Sequence, residues 1–402
     1  MKILFYCDEY PPARNGGIGT VTKTVAEALS VRGHQVFVIG FCMKDAENLP
    51  FFSKINGVEI YRLKRNEFPL QKKTIDFLQK SLNLFVKQFT LKKRMRRIEN
   101  FIEDFIHKHK IDILELPDYR NEIGYELREV INWKKFSIPT VYRIHGSASF
   151  VTQIFAGKIP SHILGNDIRN ITRCDKISAV SQYSADWVKE NFEIDKKTDV
   201  IYNPIENDYF QDIKPYPTKK QILYFGKLSE LKGFYSLVEA YKIVAAQENE
   251  SVLCIVGAKN EDEIESAKKL FSETVHNRLI FKKFMNKNEL QNEIDNSYLC
   301  VLPSYAENFS MAALEVMARA RLLIYTNRCS GAELVKDDAN GLLVNPDNAN
   351  EIAQKILYAL NNPNKTQQMA KTGYEDCKKR FSTDVIIPQL EAYYQNIINN
   401  SK

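Results

Sequence analysis

The 402 residues carry 44% hydrophobic and 26% charged side chains, the balance of a soluble globular chain with apolar material for two domains. No run approaches the roughly 18 apolar residues of a membrane span. Seven scattered cysteines without a Cys-x-x-Cys pair argue for reduced, buried thiols in a cytoplasm and against a disulfide framework or a catalytic cysteine. The net charge of +6 is concentrated, because residues 62–110 hold 14 Lys+Arg against 5 Asp+Glu, leaving −3 for the remainder.

The opening Met1–Cys7 resembles a signal peptide only until Asp8-Glu9 cut it short, so a buried strand is predicted at 3–7. That strand ends in "DEYPPARNGGIGT", where Gly16, Gly17 and Gly19 open a helix predicted from Thr20. Glycines let a ligand approach the backbone, and a helix N-terminus favours an anion. The dinucleotide fingerprint is only partly met: Thr22 stands where a third glycine belongs, and the strand at 36–41 ends without the acidic residue that holds a ribose. A nicotinamide enzyme is thereby disfavoured, and a tight turn with no ligand is the plain alternative.

Within the basic segment, Ile75, Leu78, Leu82, Phe85, Val86 and Phe89 recur at helical spacing before the run Lys92-Lys93-Arg94-Met95-Arg96-Arg97. Such a stretch can dock through 72–110 on an anionic membrane or acceptor, or can be an ordinary surface helix. No nucleic-acid recognition motif accompanies the charge. Strands are predicted next at 111–116, 140–144, 176–180 and 199–202, and His145 follows the second of these. The polar, proline-containing stretch 203–220 then interrupts the pattern. Further strands are predicted at 222–225, 252–256, 279–282, 298–302, 322–325 and 341–344, alternating with helices. The alternation predicts an α/β chain of two doubly wound parallel-sheet domains, 1–205 and 206–380. A final helix, 381–402, is expected to pack back on the first domain through Ile386, Leu390, Tyr393, Tyr394 and Ile397. Ligands in such folds bind at the carboxyl ends of strands.

The second domain opens with "YFGKLSELKG", placing Gly226, Lys227, Lys232 and Gly233 after a strand. Lysines suit phosphates as point charges, and the spacing is not that of a Walker A loop. Later comes "ENFSMAALE", after an apolar run broken by Pro303-Ser304-Tyr305-Ala306. Glu307 precedes an apolar helix and Glu315 lies inside it. A buried carboxylate needs a partner or a task. With Glu307 in the loop and Glu315 about two turns along, both can reach one pocket. The alternative is a helix cap and a buried ion pair.

Taken in order, these motifs resemble the retaining GT-B glycosyltransferases of glycosyltransferase family 4, relatives of glycogen synthase. The resemblance spans nearly the whole chain. "GGIG" matches the first-domain glycine loop, "GKLSELKG" the Gly-Arg-Leu…Lys-Gly motif, and Glu307 and Glu315 the Glu-x7-Glu signature. "SGAELVKDDANGLLVNPDN" and the linker-like "IYNPIENDYF" follow the same pattern. The resemblance implies a GT-B fold of two Rossmann-like domains across a cleft, and transfer of a sugar from a UDP- or GDP-linked donor to a glycan or lipid-linked acceptor. It implies that Glu315 accepts the donor ribose hydroxyls, that Glu307 and His145 contact the transferred sugar, and that Lys227 and Lys232 hold the diphosphate. The backbone of Asn308, Phe309 and Ser310 would start the helix and point at the diphosphate, with Phe284 and Met285 beside the base.

The family's usual Arg is Lys227 here, which loses the bidentate fork, and its frequent Asp after the histidine is Gly146. No residue is an evident covalent nucleophile, and the family is thought to react on one face with the leaving phosphate helping to deprotonate the acceptor. Without an Asp-x-Asp motif or clustered histidines, the sequence requires no metal or cofactor. The expected setting is the cytoplasm, resting on the inner membrane face, in bacterial surface polysaccharide or lipopolysaccharide assembly, with the oligomeric state open. The competing readings are a GT-B sugar-nucleotide epimerase or hydrolase, and a non-catalytic two-domain ligand-binding protein.

Overall fold

The computed structural model describes residues 1–13, 16–41, 48–64, 80–118 and 133–401, with the backbone alone at 80–92 and 94. Two units form, one from Met1–Pro204 with Ile386–Lys402 and one from Ile205–Val385. In the first, the strands are β1 (Lys2–Tyr6), β2 (Gln35–Phe41), β3 (Phe52–Ile55), β4 (Val58–Leu63), β5 (Ile113–Pro117), β6 (Thr140–Ile144), β7 (Lys176–Ala179) and β8 (Thr198–Val200). Its helices are α1 (Gly17–Val31), α2 (Lys80–His109), α3 (Ala148–Ala156), α4 (Ser161–Arg173) and α5 (Gln182–Phe192). The second holds β9 (Gln221–Phe225), β10 (Val252–Ala258), β11 (Leu279–Lys283), β12 (Leu299–Leu302), β13 (Leu322–Thr326) and β14 (Leu342–Val344). Its helices are α6 (Phe234–Gln247), α7 (Glu261–Lys268), α8 (Lys287–Asn296), α9 (Met311–Ala318), α10 (Gly331–Leu334), α11 (Ala349–Asn361) and α12 (Pro363–Phe381), and α13 (Thr383–Asn400) ends the chain.

Strands β5, β6, β9, β12 and β13 are buried at every residue. They are therefore mostly apolar, as strands covered on both faces are, and the charged exceptions Glu115 in β5 and Arg143 in β6 lie 4.0 Å apart as a buried pair. Among the described residues the sheet orders are β3-β4-β2-β1-β5-β6-β7-β8 and β11-β10-β9-β12-β13-β14, parallel throughout except for β3 against β4. Each order reverses beside its first strand, at β1/β5 and at β9/β12. A doubly wound sheet opens a crevice at that reversal, outside the carboxyl ends of the two strands.

All twelve predicted strands occur, within two residues at each end. The antiparallel β3–β4 hairpin was not expected. Its turn is Asn56-Gly57 with φ of 48° and 82°, a pair that left-handed two-residue hairpins require. Of the basic segment, Ile75 and Leu78 lie outside the described residues. Along the later part of α2, Met95, Ile98, Ile102, Phe105 and Ile106 are buried in the first unit, while Lys93, Arg96, Arg97 and Lys108 are exposed. The apolar stripe there is spent on the core. No helix among the described residues is long and apolar enough to cross a membrane.

The stretch read as a linker is fastened to the second unit. Arg319 pairs bidentately with Asp295 (2.8 and 2.6 Å) and donates to the carbonyls of Tyr209 (3.0 Å) and Gln211 (2.6 Å). Arg321 donates to those of Lys214 (3.2 Å) and Pro215 (3.1 Å). Buried guanidiniums are tolerated because every bond replaces a lost water. The two ends of the unit meet: Ile205 N–H donates to Phe381 O (2.8 Å), Thr383 N–H to Ile205 O (3.1 Å), and Ile205 bridges Ser382. From Ile386 onward α13 belongs to the first unit, burying Ile386, Leu390, Tyr394 and Ile397. There Tyr394 donates to the Glu115 carboxylate (2.6 Å), and Glu391 pairs with Arg32 and His34 (both 2.6 Å).

Candidate active site

In the first unit, the loops after β1, β5 and β6 bring three features to the sheet's carboxyl edge. The glycine loop after β1 is tighter than expected. Helix α1 begins at Gly17, three residues ahead of Thr20, and Gly16 N–H donates to the Glu9 carboxylate (3.1 Å). A carboxylate of the chain itself therefore sits against this helix N-terminus. A Cβ at Gly19 would lie 2.0 Å from Glu9 O, so that glycine serves close packing of strand against helix, whereas Gly17 faces open space. After β6 comes His145, partly buried. Burial, and then the Arg143 charge, hold its imidazole well below the usual range, so it is neutral at physiological pH. The backbone N–H groups of His145 and Gly146 (φ 154°) donate to one oxygen of Asp118 (3.0 and 2.7 Å). The other Asp118 oxygen is buried without a partner among the described residues, and burial pushes the carboxyl up to about 7. Asp118 escaped the sequence reading, although an acidic residue directly after the buried strand Ile113–Pro117 marks that strand's carboxyl end.

In the second unit, the β9/β12 reversal carries a cavity of about 260 Å³. Gly226 (φ 140°) follows β9, and a Cβ at Gly257 (φ 127°), near the end of β10, would lie 2.1 Å from Gly226 O. The chain then passes Lys227, turns at Gly233 (φ 69°) and enters α6. Gly233 packs on the loop after β12, where a Cβ would lie 1.9 Å from Pro303 O. Only glycine allows both the φ and this approach. The two loops are thereby locked together, and Lys232 forms an ion pair with Glu307. Ser330, in the later "SGAELV" motif, donates its N–H and hydroxyl to Glu307 O (3.3 and 3.0 Å), fixing that backbone.

Helix α9 starts at Met311, not at Asn308–Ser310 as expected. Ser310 is its N-cap, accepting from Ala313 N–H (3.3 Å), and Phe309 packs edge-on against Phe381 (5.4 Å). The first-turn N–H groups of Met311 and Ala312 lack intrahelical acceptors and carry the positive end of the dipole. Glu315 faces the cavity one turn further on. Burial pushes its carboxyl up to about 7, while a bond from Tyr209 Oη (3.2 Å) and the charge of Lys287 pull it down.

The cavity thus brings together Gly226, Lys232, Met285, Glu307, Ser310 and Glu315, with Phe284 at its rim. Lys227 is exposed outside the lining, and Asn308 and Phe309 lie buried behind the loop. Gly16, Gly17 and His145 belong to the first unit. No group of three His, Cys, Asp or Glu suited to a metal occurs among the described residues. Cationic and N–H donors beside two carboxylates suit a ligand that is anionic at one end and rich in hydroxyls elsewhere.

Comparison with known proteins points the same way. Residues 206–376 match the family model Glycosyl transferases group 1, and residues 15–209 match Glycosyltransferase Family 4. The uncharacterized glycosyltransferase MJ1607 of Methanocaldococcus jannaschii is 24% identical over 410 residues, 98% of each chain. The capsular polysaccharide biosynthesis glycosyltransferase CapM of Staphylococcus aureus is 23% identical over 236 residues, covering 58% of this chain and 59% of its own. Among solved structures, the sucrose-phosphate synthase of Thermosynechococcus elongatus superposes with a TM-score of 0.74 at 19% identity, covering 99% of both chains. Anabaena HepE, solved in complex with UDP and glucose, gives 0.70 at 18% identity, covering 98% and 99%. The two parallel-sheet units share the fold of these proteins.

Proposed function

The chain belongs to the GT-B glycosyltransferases, its two halves matching family 4 and group 1, and from that premise we propose a retaining transfer of a hexosyl-type sugar from a UDP- or GDP-linked donor to an acceptor hydroxyl. The observation that carries this reading is the cavity at β9/β12, where the Lys232–Glu307 pair, the start of α9 and Glu315 line one space. The binding of UDP and glucose by HepE supports a donor of this kind.

In this reading, Glu315 accepts the ribose hydroxyls and Met285 and Phe284 flank the base. As the anomeric bond stretches, negative charge builds on the diphosphate. Lys232 has three donors; one serves Glu307 and two remain for phosphate oxygens. Lys227 and the N–H groups of Met311 and Ala312 add positive potential at the same end. The sugar becomes oxocarbenium-like, and Glu307 holds its hydroxyls. With no carboxylate assigned as nucleophile, the acceptor hydroxyl enters on the face the diphosphate leaves and passes its proton to a departing phosphate oxygen. A metal or cofactor has no task in this scheme.

The acceptor in this reading is a glycan or lipid-linked saccharide of bacterial surface polysaccharide assembly, an assignment supported by the name of CapM. The exposed Lys93, Arg96, Arg97 and Lys108 offer charge for peripheral contact with an anionic inner membrane face through 72–110. The deciding experiment titrates UDP-, GDP- and ADP-sugars by calorimetry, then follows diphosphate release and the anomeric configuration of the product by NMR. An axial donor giving an axial product supports retention. An inverted product, or no sugar nucleotide bound, overturns the proposal.

A further inference from the structure

Glu315 is not held by its own helix. The one hydrogen-bond partner of its carboxylate among the described residues is Tyr209, 106 positions earlier in the chain, whose hydroxyl donates to Oε1 at 3.2 Å. Tyr209 in turn cannot move with the carboxylate. Its carbonyl accepts from Arg319 (3.0 Å), the next carbonyl accepts from Tyr374 Oη (3.2 Å), and the Lys287 ammonium lies 4.6 Å from its ring centroid. Lys287 is itself clamped by Glu206 and by Asp208 (2.6 Å). Four residues of the supposed linker thus build a rigid mount beneath the pocket.

We infer that Tyr209 is a positioning residue for donor recognition, its hydroxyl engaging one carboxylate oxygen of Glu315 so that the other faces the cavity, and Lys287 bracing the ring from behind. A carboxylate offers about four acceptor sites on two oxygens. A vicinal diol needs two of them in one plane, and a freely rotating carboxylate presents them only part of the time. One fixed hydrogen bond removes that rotation. The inference rests on the reading of Glu315 as the ribose acceptor.

The test compares the ribo and 2′,3′-dideoxy forms of UDP, GDP and ADP by calorimetry on the full chain. Wild type is expected to favour the ribo form of its nucleotide by about 10- to 100-fold, as hydrogen bonds to a charged acceptor give. Tyr209→Phe should shrink that ratio about three- to tenfold while leaving the dideoxy affinity unchanged, and raise donor KM with kcat little altered. Lys287→Met should shrink the same ratio, and serves if Tyr209→Phe folds poorly. An undiminished ratio in both variants, or an equal loss for both nucleotide forms, overturns the inference while leaving Glu315 its role. A wild-type chain indifferent to the ribose hydroxyls overturns both.

Discussion

Replacing Glu315 by Gln should make the second unit more stable at pH 8 and leave it unchanged at pH 4. The folded carboxyl titrates near 7 against an ordinary 4.5, so between those values the folded state holds a proton that the unfolded state releases. Stability then falls as pH rises from 4.5 to 7 and stays lowered above it. At 1.36 kcal/mol per pH unit the full interval corresponds to roughly 3 kcal/mol. Glu315 is partly open to the cavity, and solvent trims this to about 2 kcal/mol. Glutamine keeps an oxygen for Tyr209 and carries no charge to bury. For a unit of Ile205–Val385 that difference raises the unfolding midpoint by about 4–8 °C. Scanning calorimetry at both pH values, on wild type and Glu315→Gln, measures it. A variant that melts lower at pH 8, or that gains equally at pH 4, would refute the claim that a buried charge is being maintained against stability.

The same titration governs binding. If only ionised Glu315 accepts the ribose, nucleoside diphosphate affinity should rise about tenfold from pH 6 to pH 8 relative to Glu315→Gln, whose profile removes the ionisation of the diphosphate itself; parallel profiles in calorimetric titrations would count against it. Glu307→Ala should leave nucleotide affinity within about threefold and lower kcat by roughly 10²–10³, and Lys232→Met should lower kcat similarly, as loss of one preorganised group does. Equal loss of nucleotide affinity in Glu307→Ala and Glu315→Ala would mean their roles are misassigned. Gly233→Ala, with a φ of 69° and a Cβ 1.9 Å from Pro303 O, should destabilise the second unit by about 3 kcal/mol or more. Gly17→Ala, which meets nothing within 4 Å, should be neutral or slightly stabilising in a thermal melt.

Much of this arrangement was legible because burial writes it into the residues. A strand covered on both faces is mostly apolar, as Leu299–Leu302 is, and a parallel sheet then needs crossover connections, most of them helices. The carboxyl ends follow, and with them the neighbourhoods of His145, Gly226 and Glu307. What was not legible depended on pairings between distant positions. Tyr209 with Glu315, Lys232 with Glu307, and Arg319 with the Tyr209 carbonyl are separated by 106, 75 and 110 residues. No local pattern announces them, so 203–220 read as a loose connector. The start of α9 was misjudged for the opposite reason. Ser310 is a strong cap signal, yet the glutamate before it drew the helix start forward to Asn308. The hairpin at Phe52–Leu63 had its own signal in Asn56-Gly57, which went unread because its strands are only four and six residues long.

The bridge between Ile205 and Ser382 has a practical side. It brings the two ends of the second unit into register, so Ile205–Val385 is one uninterrupted cassette whose entry and exit are hydrogen-bonded to each other. Inserted stretches with adjoining ends tolerate exchange. A chimera that places this cassette, cut at the Ile205/Ser382 seam, in a relative would carry over Lys232, Glu307, Glu315 and the Tyr209 mount as a set. On the proposed role of this cassette in donor binding, donor choice would then be transplantable between such chains by two splices, with the rest of the receiving chain left as it is.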